Sequence, residues 1–177
     1  MRYILYFLLL TSFVVSLQAQ SDITLPRSFQ ANFEQSITSD KGKKISYSGK
    51  VAYSLPYFKW NYTTPTKKDV CTDTQELIVV DHDLEQVSLY HMDDTLDLVA
   101  IIKNAKPNRK SVYIASYKNR SYTLQVDSNQ RLSRIAYRDD LDNNVLIIFK
   151  NMRYSNKKIA EKKMRCPMPT TYDQIGG

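Results

Sequence analysis

Few side chains in this sequence could act as acids, bases or metal ligands. The chain has two histidines, His82 and His91, and the first lies in the cluster Asp81-His82-Asp83-Leu84-Glu85. Carboxylates and imidazoles bind metals, but this spacing matches no metal motif, and a turn between two strands explains the aspartates. No nucleophile, zinc-hydrolase, redox or phosphate-loop motif accompanies the cluster. We therefore expect no metal, no cofactor and no enzymatic activity.

The N-terminal residues resemble a secretory signal peptide. Arg2 precedes an apolar run over residues 3–15, which ends in Leu17-Gln18-Ala19. This run is shorter than the ~20 apolar residues that span a bilayer as a helix. We expect residues 1–19 to be cleaved and residues 20–177 to form a single exported domain, and a retained N-terminal anchor is the alternative.

Two cysteines, Cys71 and Cys166, lie in the part predicted to be exported. Thiols pair in an oxidising compartment, so we expect one disulfide between them. Two buried free thiols are the alternative interpretation.

The charge of the chain is strongly positive. The formal net charge is +7, and removal of residues 1–19 takes away Arg2 alone, which leaves +6. Much of the excess lies between Lys150 and Arg165. In an exported protein this excess argues against a nucleic-acid partner and is typical of a solvated face, with attraction to anionic membranes or an acidic partner as the alternative.

Alternating apolar residues predict a sheet. Phe29, Ala31, Phe33 and Ile37 share one parity, while the intervening residues are mostly polar, which is the pattern of a half-buried strand. Similar patterns predict an antiparallel sheet, followed by a frayed tail after Pro169. The predicted strands cover residues 28–37, 45–55, 58–62, 68–72, 76–80, 86–91, 111–117, 122–126, 132–137, 145–150 and about 163–166.

One helix interrupts the predicted strands. Leu96, Leu98, Val99, Ile101 and Ile102 recur at helical spacing. Asp93 or Asp94 is the expected N-cap, and residues 104–107 end the helix. Such a helix can fill the apolar face of the sheet or cover it loosely, and periodicity does not separate a packed core from a lipid cavity.

Four blocks of sequence resemble the LolA family of periplasmic lipoprotein carriers. The closing M-R-C-P-M-P at 164–169 also resembles the terminal strand and proline pair of that family. The order and spacing of the blocks match over nearly the whole mature chain. The blocks are S-F-Q-A-N-F-E-Q-S-I at 28–37, S-G-K-V at 48–51, L-P-Y-F-K-W-N-Y-T-T-P at 55–65 and L-I-V-V-D-H-D-L-E-Q-V at 77–87.

The resemblance implies a mainly β fold in which a strongly curved antiparallel sheet forms an incomplete barrel, with a helical lid over an apolar cavity. It implies a periplasmic chaperone that carries lipoproteins from the inner to the outer membrane by shielding their acyl chains. The implied partners are triacylated lipoproteins, an inner-membrane lipoprotein-releasing ABC transporter, and a LolB-type outer-membrane acceptor or the outer membrane itself. The resemblance also implies that the protein is a monomer. A carrier or sensor of another lipid or glycolipid, with the same fold, is the alternative.

The resemblance also implies which side chains contact the acyl chains. They come from the opening strands and from the predicted helix. The residues are Phe29, Phe33, Ile37, Val51, Tyr53, Phe58, Trp60, Tyr62, Leu96, Val99 and Ile102.

Two departures from the family pattern concern the lid. Family members usually have an amphipathic helix before the first strand, where this chain has only the short polar segment 20–27. They also carry a basic residue before the proline that precedes the tryptophan strand, where this chain has Leu55. We therefore expect a smaller or looser lid, with Ser54 or Lys50 as candidates for a hydrogen bond to it.

Overall fold

The computed structural model describes residues 23, 25–72, 76–91 and 97–176, and in these residues twelve strands form one open, curled sheet. The order across the sheet is β12-β6-β5-β4-β3-β2-β1-β11-β10-β9-β8-β7. Neighbouring strands are antiparallel except β12 and β6, which are parallel. The strands are β1 Ser28–Thr38, β2 Lys44–Ser54, β3 Tyr57–Thr64, β4 Lys68–Thr72, β5 Glu76–Asp81, β6 Gln86–His91, β7 Lys106–Arg109, β8 Val112–Tyr117, β9 Arg120–Val126, β10 Leu132–Arg138, β11 Asn144–Ser155 and β12 Asp173–Gly176. Helix α1 covers Leu98–Lys103, and the one-turn helix α2 covers Glu161–Met164.

The centre of the sheet is built from its longest strands, because β1 lies between β2 and β11. The predicted alternation holds in β1, where Phe29, Ala31 and Phe33 are buried while Gln30 and Asn32 are exposed. At Gly49 the strands approach so closely that a Cβ atom would lie 1.9 Å from the carbonyl oxygen of Asn61. A glycine is therefore required at this position.

The main core lies on the concave face of the sheet. It combines buried side chains of β1–β3 and β8–β11 with three residues of α1, Leu98, Ile101 and Ile102. The carboxylate of Asp97 caps α1 by accepting the backbone N–H of Ala100 at 2.9 Å. Helix α1 thus packs its apolar stripe into the curve of the sheet.

A second, smaller core lies on the convex face. It consists of Cys71, Val80, Val87 and Cys166, with Ile78 and Tyr172 packed against it. Cys71 and Cys166 form the expected disulfide, with their Cα atoms 5.7 Å apart. The disulfide fixes the C-terminal segment over the outside of β4–β6.

The structure corrects the predicted C-terminal elements. The strand expected at about 163–166 is wrong, because Glu161 and Arg165 form an ion pair four residues apart that supports the single turn of α2. The frayed tail is also wrong. The backbone N–H of Asp173 donates to the carbonyl of Glu85 at 2.9 Å, and β12 then pairs with β6.

Two further differences concern the predicted helix and the segment after it. The described helix begins at Leu98 with Asp97 as its N-cap, so the predicted start was too early, and Asp93 and Asp94 lie outside the described residues. The segment after α1 forms strand β7, which the sequence analysis missed. Pro107 is tolerated there because β7 lies at the edge of the sheet, where a missing backbone donor costs little.

Candidate functional site

The concave face brings together the side chains predicted to contact acyl chains. Six of them are buried in the main core: Phe29, Phe33, Val51, Tyr53, Phe58 and Ile102. Ile37, Trp60, Tyr62 and Val99 are partly buried and pack against that core. Leu96 lies outside the described residues.

Aromatic rings of β1, β2, β3 and β11 pack against one another on this face. The ring centroid of Phe33 lies 5.0 Å from that of Trp60 and 4.9 Å from that of Tyr62, both edge to face. Trp60 in turn lies 6.1 Å from Phe149 on the other side of β1. Such contacts stabilise the packing beyond simple burial, so this part of the face is a packed aromatic wall.

One end of this wall carries phenol groups that the sequence analysis did not single out as a group. The hydroxyl of Tyr62 donates to Oε1 of Gln35 at 3.1 Å. The ring of Tyr47 packs edge to face against the ring of Tyr62. Burial raises the pKa of Tyr62, and the nearby Tyr137 and Tyr47 raise it further. Burial also raises the pKa of Tyr137 to about 12. The phenols of Tyr62 and Tyr137 therefore stay neutral at physiological pH and give the apolar wall a hydrogen-bonding end.

A second part of the concave face, on β4–β6, was missed. Cross-strand pairing places Val70 beside Trp60, and Val79 beside Val70, so the three share one face. Leu77 lies on the same face as Val79, two residues away in β5, and pairs with Tyr90 of β6. We call Val70, Leu77, Val79 and Tyr90 the open row, because all four are partly exposed and none belongs to either described core.

The signal for the open row was present in β5. Residues Leu77-Ile78-Val79-Val80 are all apolar, which indicates a strand with apolar surroundings on both faces. Ile78 and Val80 pack into the convex core, and Leu77 and Val79 therefore point to the concave face. The open row is thus a partly exposed apolar surface on this face, beside Trp60.

Among the described residues, neither residue proposed as a tie to the lid has a hydrogen bond to α1. The hydroxyl of Ser54 accepts the backbone N–H of Ile159 at 3.0 Å and donates to the carbonyl of the same residue at 3.3 Å. Lys50 is exposed on the convex side. The prediction for Ser54 is therefore wrong, because this residue fastens the connection between β11 and α2. Lys50 lies on the face opposite the main core, away from the described helix α1.

The cluster at residues 81–85 is organised as a turn. Oδ1 of Asp81 accepts the backbone N–H groups of Asp83 and Leu84, both at 3.1 Å, and Oδ2 pairs with Lys68 at 3.1 Å. Burial alone would raise the pKa of Asp81, but the hydrogen bond from Lys68 and those from the backbone lower it. His82 lies 3.3 Å from the hydroxyl of Tyr172 and 3.7 Å from Asp69. Within the described ranges, no three potential ligands are grouped to hold a metal.

Across residues 23, 25–72, 76–91 and 97–176, no helix is long and apolar enough to cross a bilayer.

Comparisons with known proteins agree on one family. The model of the family described as outer membrane lipoprotein carrier protein LolA matches residues 26–116. The outer-membrane lipoprotein carrier protein of Campylobacter jejuni is 34% identical over 147 residues, which cover 83% of this chain and 85% of the relative. That of Wolinella succinogenes is 30% identical and covers 81% of this chain and 83% of the relative.

A solved structure supports the architecture. An uncharacterized conserved protein from Thermus thermophilus superposes with a TM-score of 0.56 at 10% identity, over 86% of this chain and 92% of that chain. At this identity the similarity concerns the fold alone.

Proposed function

This chain belongs to the LolA family of outer membrane lipoprotein carrier proteins, and we propose that it carries lipoproteins from the inner to the outer membrane by holding their acyl chains against its concave face. Proteins of this family are carriers and not enzymes. The proposed location is the periplasm, with residues 1–19 removed on export.

The observation that carries the proposal is the apolar concave face with its two parts. The aromatic wall and α1 belong to one apolar core, whereas the open row is partly exposed and lies outside that core. Each acyl methylene removed from water contributes about 0.8 kcal/mol. An acyl chain therefore gains by first covering the open row and then extending towards Trp60, which neighbours Val70.

Helix α1 is the proposed movable cover of the aromatic wall. It has six residues, and isolated helices of this length have little stability of their own. Its buried contacts are the apolar side chains Leu98, Ile101 and Ile102. Because acyl chains can replace apolar contacts of this kind, the proposal has cargo displace α1 and expose the ten described side chains predicted to bind it.

The proposed partners follow from the cargo. Triacylated lipoproteins would arrive from an inner-membrane lipoprotein-releasing ABC transporter. They would leave to a LolB-type acceptor or directly to the outer membrane. Release requires moderate affinity, and a wall that closes again under α1 offers one way to achieve it.

The proposal is tested by identifying the bound lipid and by a substitution that weakens its binding. Val79→Asp places a charge in the open row, where burial under an acyl chain is unfavourable. We expect this variant to bind a fluorescent acyl probe at least about tenfold more weakly. The matched control is Leu141→Asp in the turn before β11, where the side chain is 80% exposed and no change is expected.

Mass spectrometry of the protein purified from the periplasm supplies the identity of the cargo. Recovery of triacylated lipoproteins supports the proposal. Recovery of a glycolipid or a free lipid alone would instead support the alternative carrier, and equal probe binding by both variants would exclude the open row as the contact surface.

A further inference from the structure

Six exposed cations lie along the convex side of the sheet and the segment that follows β11. Five of them are lysines, and all six side chains are exposed. We call them the basic surface: Lys50, Arg153, Lys157, Lys158, Lys162 and Lys163.

Strand pairing and side-chain contacts place these residues on one side of the molecule. Lys50 and Arg153 line the same shallow groove on the convex face, together with Gln30 and Asn32. The hydroxyl of Ser28 donates to the carbonyl of Lys157 at 2.7 Å, which fixes the segment after β11 at the end of β1.

Helix α2 continues this arrangement. It contacts β2 and β3 through the end of the sheet where Ser54 holds Ile159. The ammonium group of Lys59, on the convex face, donates to the carbonyl of Arg165 at 3.0 Å. Lys162 and Lys163 of α2 therefore enlarge the positively charged surface that Lys50 and Arg153 begin.

Little negative charge offsets this surface. Lys150 and Arg165 at its border are paired with Glu34 and Glu161. No ion pair joins any of the six cations to a carboxylate of the described residues. The basic surface thus concentrates most of the charge excess of the chain.

We propose that the basic surface docks the protein on a bilayer surface containing anionic phospholipids. Clusters of four to eight basic residues bind such surfaces through additive attraction. Lysine is depleted at protein–protein interfaces, where arginine and aromatic residues are enriched, so this lysine-rich composition favours lipid headgroups over a protein partner. This inference rests on the charge distribution and is independent of the cargo proposed above.

Vesicle flotation tests the docking. The purified protein is mixed with phosphatidylcholine vesicles, with or without phosphatidylglycerol, at low and high salt. We expect binding only to the anionic vesicles, and less at high salt because salt screens exposed charges. A variant with four neutralised lysines should bind at least about tenfold more weakly. The substitutions are Lys157→Gln, Lys158→Gln, Lys162→Gln and Lys163→Gln.

A control variant loses the same charge elsewhere and should bind within about twofold of the wild type, because its lysines lie outside the basic surface. Equal weakening in both variants would show that net charge alone acts, and would overturn the proposal. Absence of binding to anionic vesicles, or equal binding to neutral ones, would also overturn it. All eight lysines are exposed, and urea unfolding checks that each variant is folded. The control carries Lys41→Gln, Lys43→Gln, Lys106→Gln and Lys110→Gln.

Discussion

At the scale of single residues, the tyrosines at the end of the aromatic wall combine burial with hydrogen bonding. Tyr62 donates to Gln35, and the ring of Tyr137 lies 5.2 Å from that of Tyr122. The sequence placed Tyr62 on the apolar face by parity. It did not indicate that Tyr137, seventy-five residues later (137 minus 62), would join it, because that depends on the pairing of β1 with β11 and of β11 with β10.

The raised pKa of Tyr137 predicts a loss of stability at alkaline pH. Its pKa is about 12 in the folded protein, chiefly because the side chain is buried, and 10.0 for an unperturbed tyrosine. The unfolded chain therefore loses its proton first, and the stabilising contribution present below pH 10 is lost as the pH rises towards 12. Between pH 9 and pH 11 this residue should lower the free energy of unfolding by about 1 kcal/mol.

Urea unfolding of Tyr137→Phe at the two pH values measures this contribution. The variant should lose about 1 kcal/mol less than the wild type between them. Tyr90→Phe, whose side chain is 47% exposed, serves as the control. An unchanged pH dependence in Tyr137→Phe would contradict the account of this residue.

At the scale of elements, the C-terminal segment is fastened to the sheet by scattered polar contacts and one disulfide. Ser28 and Ser54 are cross-strand neighbours, and their hydroxyls bind Lys157 and Ile159. Cys166 then ties the segment to β4. The cysteine count predicted the disulfide. The serine contacts were not predictable, because a hydroxyl at the end of a strand is as compatible with solvent as with a distant backbone.

Ser54→Ala should loosen this segment. The substitution leaves the partly buried backbone N–H of Ile159 without its side-chain acceptor, and a donor left without a partner costs up to about 1–3 kcal/mol when it is fully buried. We expect the free energy of unfolding to fall by about 1 kcal/mol, at the low end of that range, and amide exchange to accelerate over residues 156–160. The control is Ser133→Ala, which removes a half-buried hydroxyl that donates to Gln125 and should leave exchange in this segment unchanged. Unaltered exchange at Ile159 in Ser54→Ala would show that the serine does not hold the segment.

At the scale of the whole molecule, alternation in the sequence predicted most of the strands and the apolar face. The strands β4 and β6 have the predicted bounds. Strands β7 and β12 were missed because Lys106–Arg109 and Asp173–Gly176 have no apolar alternation and are recruited by pairing with β8 and β6. Tertiary contacts thus decided the edges of the sheet, whereas local patterns decided its centre.

The sequence predicted only part of the candidate site, because alternation is visible in the sequence whereas strand pairing is not. Residues of the aromatic wall alternate within single strands, so the sequence located them. The open row depends on which side of β5 faces inward, and in an all-apolar run parity does not reveal this. The pairing of Val79 with Val70, and of Val70 with Trp60, resolves it.

The central claim, that acyl chains bind the concave face, is tested most directly by site-specific photocrosslinking to a triacylated lipoprotein. A photoreactive residue replaces Val70 in the open row or, in a matched variant, Gln30, which is exposed on the convex face of β1. The account predicts crosslinking of the acyl chains at position 70 and none at position 30. Equal crosslinking at the two positions, or crosslinking at position 30 alone, would contradict it.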